Sequence, residues 1–337
     1  VGIFLCSTRT SNRKRAIYNC SILDSQRTIL KTMSQIQILR LWNSSTPLYS
    51  ELRRGWGGFY YLIWNHKGII IDPGFDFVDI FERQFRTVND IDYVIVTHDH
   101  PDHCEGLSNI VTLLHEFNES RRRPHVIRFT VSRGTYSRYA SFFRRKNLKR
   151  YVTKLVPSQT FTLCPDITVS TIKNKHREIS SRSNGIGLRF LLKYDALSAY
   201  SFGITSDTTY HTSLSNFYDG LNMLILHIGT LEDFNSGKLL RNHLGFRGIV
   251  LMLTKMMNPP KLALVSEWGE ELSGMRKEIG KHLQKYIPKT KILPADFLFR
   301  LSIPDNKVYI EQDGRFAPAS NTFVSDDYGS RLRYKAI

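Results

Sequence analysis

A chain of 337 residues, 41% hydrophobic and 12% aromatic, can bury one large core or two modest ones and carries too much apolar character for wholesale disorder. No apolar run approaches the roughly 20 residues that span a bilayer, and the run over residues 1–6 is too short for a secretory core, so a soluble, cytoplasmic protein without a membrane partner is expected. The formal charge of +17 points toward an anionic partner, while four cysteines with no C-x-x-C pair exclude a disulfide framework and a thiolate zinc site.

The first 32 residues hold six Lys or Arg against the single acid Asp24 and show no periodicity. They read as a basic leader outside the fold: an arm, a targeting segment, or upstream translation foreign to the native chain. Met33 and a strand pattern over 36–42 follow, so the folded domain is expected over 33–312. Strand patterns recur at 59–64 and 68–71, the second running into the turn sequence Asp72-Pro73-Gly74. The β-branched and aromatic residues of 91–96 form a buried strand pattern that leads into Thr97-His98-Asp99-His100-Pro101-Asp102-His103.

This H-x-H-x-D-H motif places four metal-ligand side chains in six residues, and imidazole and carboxylate donors suit zinc and neighbouring divalent ions. Leu107, Ile110, Val111, Leu114 and Phe117 then recur at helical spacing, predicting a helix over 102–117. Pro101 suits its first turn and keeps His100 extended. His98 and His100 therefore lie on a loop while Asp102 and His103 open the helix, so the two pairs can face two different ions.

Residues 121–154 carry 12 Lys or Arg and no Asp or Glu, interleaved with Phe129, Tyr136, Tyr139, Phe142, Phe143 and Tyr151. Either the aromatics stack on bases beside phosphate-binding cations, or their helical spacing commits them to the core and the charges form a solvated face. Further strand patterns fall at 126–131, 167–172, 187–192, 199–204, 223–227 and 262–265, and residues 313–337 read as a polar tail. Consecutive strands early, then strands separated by helices, predict an α/β architecture: a four-layer αββα sandwich of two mixed sheets with helices on the outer faces.

The motif, Asp72 after its strand, and the strand ending Ile204-Thr205-Ser206-Asp207-Thr208 together resemble the metallo-β-lactamase fold superfamily over roughly 36–310. The order of His227, His243 and residue 267 resembles its ribonuclease Z-like branch. Two departures stand out. Ser206 replaces the glycine of the family's Gly-Asp-Thr, and Glu267 replaces the histidine that ends the family's last ligand strand.

The resemblance implies two divalent ions, zinc first and manganese as the alternative. His98, His100 and His176 would hold one, and Asp102, His103 and Glu267 the other, with Asp207 bridging. Asp72 would orient the ligand loop, and His227 would either support the site or replace Glu267 as ligand. The implied chemistry is hydrolysis by a metal-activated hydroxide, with Asp102 and His243 as catalytic residues, His243 being a proton donor to the leaving oxygen. The implied substrate is a phosphodiester in RNA, single-stranded DNA or a nucleotide, cyclic ones included, with Arg144, Arg145 and Lys146 binding it. Hydrolysis of a lactone, thioester or amide, or a non-catalytic binding protein with a decayed second metal site, are the alternatives; a homodimer is the expected assembly.

Overall fold

The computed structural model describes residues 34–40, 42, 58–84, 86–119, 121–145, 147–232, 237–295, 297–312, 315–325 and 333–336. The leader expected over 1–32, with Cys6 and Cys20, and Lys146 lie outside the described residues. Cys104 and Cys164 are buried free thiols.

Alternating apolar residues dictate the first sheet. β1 (Gln35–Leu39), β2 (Phe59–Trp64) and β3 (Lys67–Ile71) form an antiparallel meander, and β4 (Tyr93–Val96), β5 (Arg128–Val131) and β6 (Val152–Lys154) extend it in parallel. The second sheet begins with antiparallel β7 (Thr160–Cys164), β8 (Ile167–Arg177), β9 (Asn184–Lys193) and β10 (Ala199–Ile204). It continues in parallel through β11 (Met223–His227), β12 (Leu262–Ser266) and β13 (Lys291–Pro294). β14 (Phe299–Ser302) returns the chain to the first sheet beside β1, followed by β15 (Val308–Gln312).

Period-two alternation splits the core in two. Ile36, Ile38, Leu62, Ile69 and Ile95 of the first sheet meet Val169, Leu188, Phe190, Phe202 and Ile225 of the second between the sheets. The opposite faces pack on helices: Ile70, Val94 and Val96 lie with α1 (Phe77–Arg83) and α3 (Gly106–Glu119), and Leu224, Leu226 and Val265 with α6 (Phe246–Thr254) and α7 (Arg276–Tyr286). The remaining helices are α2 (Pro101–Cys104), α4 (Arg133–Arg145) and α5 (Thr212–Phe217). The expected four-layer sandwich is therefore observed. Among the described residues no helix is long and apolar enough to cross a membrane.

Three local expectations are corrected. The single helix over 102–117 is two, α2 and α3, separated by Glu105; Gly106 opens the second because a Cβ there would lie 2.7 Å from the Gly74 carbonyl oxygen. β8 runs past Ile172 to Arg177, so His176 sits within a strand rather than after one. The expected tail contains β16 (Arg315–Ser325), paired on β15, and β17 (Arg333–Ala336), paired on β16. Main-chain hydrogen bonds add strands at a sheet edge without needing the apolar pattern that marks interior ones.

Candidate metal centre

The ends of β1, β3, β4, β8, β10, β11 and β12 converge at one rim of the sandwich. Pro101 does what the sequence leads one to expect: His100 precedes α2 in extended conformation (φ −67°, ψ 141°), so the chain turns from strand to helix within the motif. Three strand ends leave in left-handed conformation, Asp72 (φ 52°), Ser206 (φ 51°) and Glu267 (φ 52°), which re-aims each following segment into the site. The left-handed φ is why a glycine would suit position 206. Ser206 occupies it and forms a 2.8 Å hydrogen bond with the Thr97 hydroxyl.

Thr97 sorts the imidazole nitrogens of His98. Its hydroxyl donates to Asp72 Oδ2 at 2.7 Å, so its oxygen accepts from its other neighbours, His98 Nδ1 at 3.1 Å among them. His98 Nδ1 therefore carries the proton, and Nε2 presents a lone pair that is fully buried and without a hydrogen-bond partner. His176 is sorted in the same way by a backbone acceptor: Nδ1 donates to the Asn242 carbonyl at 2.9 Å, which leaves Nε2 bare.

The two sorted nitrogens meet His100 and Asp207. His176 Nε2 lies 3.1 Å from His100 Nδ1 and 3.7 Å from Asp207 Oδ2, and His98 Nε2 lies 3.8 Å from that same oxygen. Nitrogen or oxygen bonds of about 2.0–2.1 Å around a tetrahedral zinc ion place neighbouring donors about 3.3 Å apart, so this set fits one divalent ion. Burial, reinforced by His103, holds His98 well below the ordinary histidine range, and burial lowers His176 against the pull of Asp207. Both rings are thus kept neutral, the form that binds metal. Asp207 is held well below the ordinary carboxylate range: burial opposes its charge, but His103 and His243 outweigh that.

The other half of the motif is built differently. Asp72, fully buried, accepts from Thr97 N at 2.7 Å and contacts His103 Nδ1 at 3.0 Å, fixing the ring so that Nε2 points into the site. There it meets a guanidinium. Arg40 Nη2 lies 2.9 Å from His103 Nε2 and 2.8 Å from Asp102 Oδ2, Nη1 donates to the Asp102 carbonyl, and Nε pairs with Glu267 Oε1 at 2.5 Å. Arg40 and Glu267 are both fully buried. Burial opposes the charge of Asp102, and His103 and Arg40 overcome it, holding the carboxyl below its ordinary value. Burial and Arg40 also oppose protonation of His103, while Glu267, Asp102 and Asp207 favour it strongly enough to raise its affinity for a proton. Its two ring nitrogens are both engaged, Nε2 lying 2.9 Å from Arg40 Nη2 and Nδ1 3.0 Å from Asp72 Oδ2.

His103, Asp207 and Glu267 also bring one donor atom each within 4.8 Å of one another, Glu267 Oε2 standing 3.6 Å from His103 Nε2. His227 backs this side, with Nδ1 3.0 Å from Glu267 Oε2 and 3.3 Å from Asp207 Oδ1, and Nε2 3.0 Å from the Tyr60 hydroxyl. His227 is buried between these groups and supports the carboxylates. His243 stands at the mouth, its side chain 29% exposed and its Nδ1 3.7 Å from Asp207 Oδ2. Gly229 makes that placement available, since a Cβ there would come within 2.6 Å of the His243 side chain.

The basic segment is not at the centre. Arg144 and Arg145 end α4, about 17 Å along the helix from Arg133 at its first turn. Phe129, Tyr139 and Phe143 are buried and Tyr136 and Phe142 pack against the same core, which corrects the stacking reading for these rings. The cations stay outside: every described Lys and Arg of 121–154 is exposed.

Arg40, Thr97, Tyr60 and Asn174 went unread in the sequence. Asn174 donates from Nδ2 to the carbonyls of Thr205 and Asp207 and so locks the Asp207 turn against β8. Arg40 did leave a signal: it continues the inward alternation of Ile36 and Ile38, where a charge has to find buried partners.

Residues 67–265 match the family described as the beta-lactamase superfamily domain. The metallo-beta-lactamase fold protein YhfI from Bacillus subtilis superposes with a TM-score of 0.59 at 12% identity, covering 80% of this chain and 98% of that one. Human tRNase Z, short form (ELAC1), gives 0.56 at 13% identity over 80% and 99%, and yeast PDE1 gives 0.54 at 12% over 77% and 96%. Identities this low show a common fold alone. A comparison with curated proteins finds no match.

Proposed function

Because the chain belongs to the beta-lactamase superfamily and carries its metallo-β-lactamase fold, we propose that it is a metal-dependent hydrolase of phosphodiesters in nucleic acid or nucleotides. One observation carries this reading. His98, His100, His176 and Asp207, drawn from three separate strand ends, each bring one donor atom within 4.8 Å of the others, and one of those atoms, His98 Nε2, is buried without a hydrogen-bond partner. A divalent ion held there, zinc or manganese, supplies Lewis acidity that activates water and polarises a phosphoryl or carbonyl oxygen.

The chain's own residues supply the rest. Thr97 and the Asn242 carbonyl fix the tautomers of His98 and His176, Asp72 orients the loop through Thr97, and Asp207 brings buried negative charge that favours a cation. His243, half-open at the mouth, is positioned to hold a proton for the leaving oxygen. Asp102 acts through its pair with Arg40. Phosphodiester is favoured over a small carbonyl substrate by the exposed cations of 121–154, which suit a phosphate backbone. Human tRNase Z and yeast PDE1, which share the fold, bear names of the same kind of chemistry.

Elemental analysis combined with a panel of bis-p-nitrophenyl phosphate, cyclic nucleotide, RNA and lactone tests the proposal. Bound metal with phosphodiester turnover is expected, and His243→Ala should lower kcat by about 10²–10⁴ while leaving metal content unchanged. Turnover of lactone alone would make the chain a carbonyl hydrolase. Absence of bound metal would overturn the proposal.

A further inference from the structure

The atoms that a second ion would need are already spoken for. A cation next to the first, on the far side of Asp207, has to draw on Asp102 Oδ2, His103 Nε2 and residue 267, and one guanidinium reaches all three, at 2.8, 2.9 and 2.5 Å. Arg40 holds this position from the end of β1, where it is fully buried. Its donors form a planar fork that cannot be deprotonated in a protein, which suits a fixed positive charge among carboxylates. The approach to His103 is decisive, because a guanidinium nitrogen 2.9 Å from Nε2 fills the space in which an ion would have to meet that atom.

The same geometry explains residue 267. A histidine there offers a neutral nitrogen, useful to a metal ion but without the negative charge that balances a buried guanidinium. A carboxylate is the matching partner for arginine, and Glu267 Oε1 makes that pair while its Oε2 faces His227. Arg40 and Glu267 therefore form one coupled device.

We propose that Arg40 is a resident cation standing where a second metal would bind, so that the chain holds a single divalent ion at His98, His100, His176 and Asp207. The inference deepens the metal-dependent reading of this site and rests on it. Two ions, expected from the motif, do not fit the residues present: the first donor set is open to an ion and the second is closed by a side chain. The role of the guanidinium is to balance Asp102 and Glu267 and to hold His103 and Asp102 in the positions that shape the rim.

Metal stoichiometry of the full chain, measured after equilibration with zinc and removal of loosely bound ion, tests this without relying on activity. One equivalent per chain is expected. His176→Ala should reduce it to none, His103→Gln should leave it at one, and Arg40→Ala should raise it to two by freeing Asp102, His103 and Glu267. Two equivalents in the unaltered chain, or a single equivalent persisting in soluble Arg40→Ala, would overturn the inference and leave the hydrolase proposal standing. No equivalent in the unaltered chain would instead overturn the hydrolase proposal. Should Arg40→Ala fail to fold, His103→Gln decides: loss of the single ion on that change would place it in the contested position and refute a resident guanidinium.

Discussion

His98 shows how little of an imidazole's chemistry resides in the ring itself. Thr97 assigns its proton to Nδ1, and burial with His103 nearby keeps the ring neutral. His176 is held neutral by burial as well. A histidine whose pKa is lowered stays unprotonated to more acidic pH, so in the metal-free chain His98 and His176 should remain neutral as pH falls from about 8 through about 6.5, the ordinary histidine value, and take up a proton only below that. Imidazole NMR titration of these two rings is the measurement, and a midpoint at the ordinary value for both would mean that they behave as exposed histidines. The cluster of donor side chains at His98, His100, Asp102 and His103 was legible in the sequence because residue type, spacing and the preceding strand are all local. Arg40 was not, because its partners lie at Asp102, His103 and Glu267, far along the chain, and only the tertiary fold brings them to it.

Among the elements, the parallel strands do the positioning. β3, β4, β10, β11 and β12 all point their C-terminal ends at the same rim, and three of the site strands leave it through a left-handed residue. Ser206 tests what that geometry costs. Ser206→Ala removes the Thr97 hydrogen bond and keeps the backbone strain, so destabilisation of about 1–2 kcal/mol is expected. Ser206→Gly removes the same bond but relieves about 1 kcal/mol of left-handed strain, so it should be the milder change. Urea titration of both variants checks the order, and the reverse order would contradict a strained serine. Strand interiors such as β2 and β10 were readable to the residue because their side chains are buried in alternation or continuously. The β8 extension and the strands after residue 312 were not, since pairing through the main chain leaves no apolar signature in their composition.

Across the whole molecule, charge and catalytic rim are separated. The net charge of +17 includes exposed cations along α4 and its flanks, while the rim gathers buried carboxylates. A phosphate backbone held on α4 would therefore be gripped at a distance from the bond being cut. Replacing Arg144 and Arg145 by glutamate should weaken RNA binding and flatten its salt dependence, by about 0.7 in the logarithmic slope for each phosphate no longer neutralised. Turnover of bis-p-nitrophenyl phosphate should be unaffected, since the small ester does not reach the C-terminal end of α4. Binding isotherms at several salt concentrations, run beside that assay, distinguish the two surfaces, and equal reductions in both would mean that the charges act on the rim itself. The four-layer arrangement was legible because it follows from the order of strands and helices. The separation of charge from rim was not, because it depends on where α4 ends in space.

The Arg40–Glu267 pair joins the end of the first strand of one sheet to the turn after β12 of the other. In chain order the arginine comes first, Asp102 and His103 follow, and Glu267 comes last of the four. The rim is therefore complete only when both sheets are in place, and neither half of the sandwich holds all the partners of Arg40 by itself.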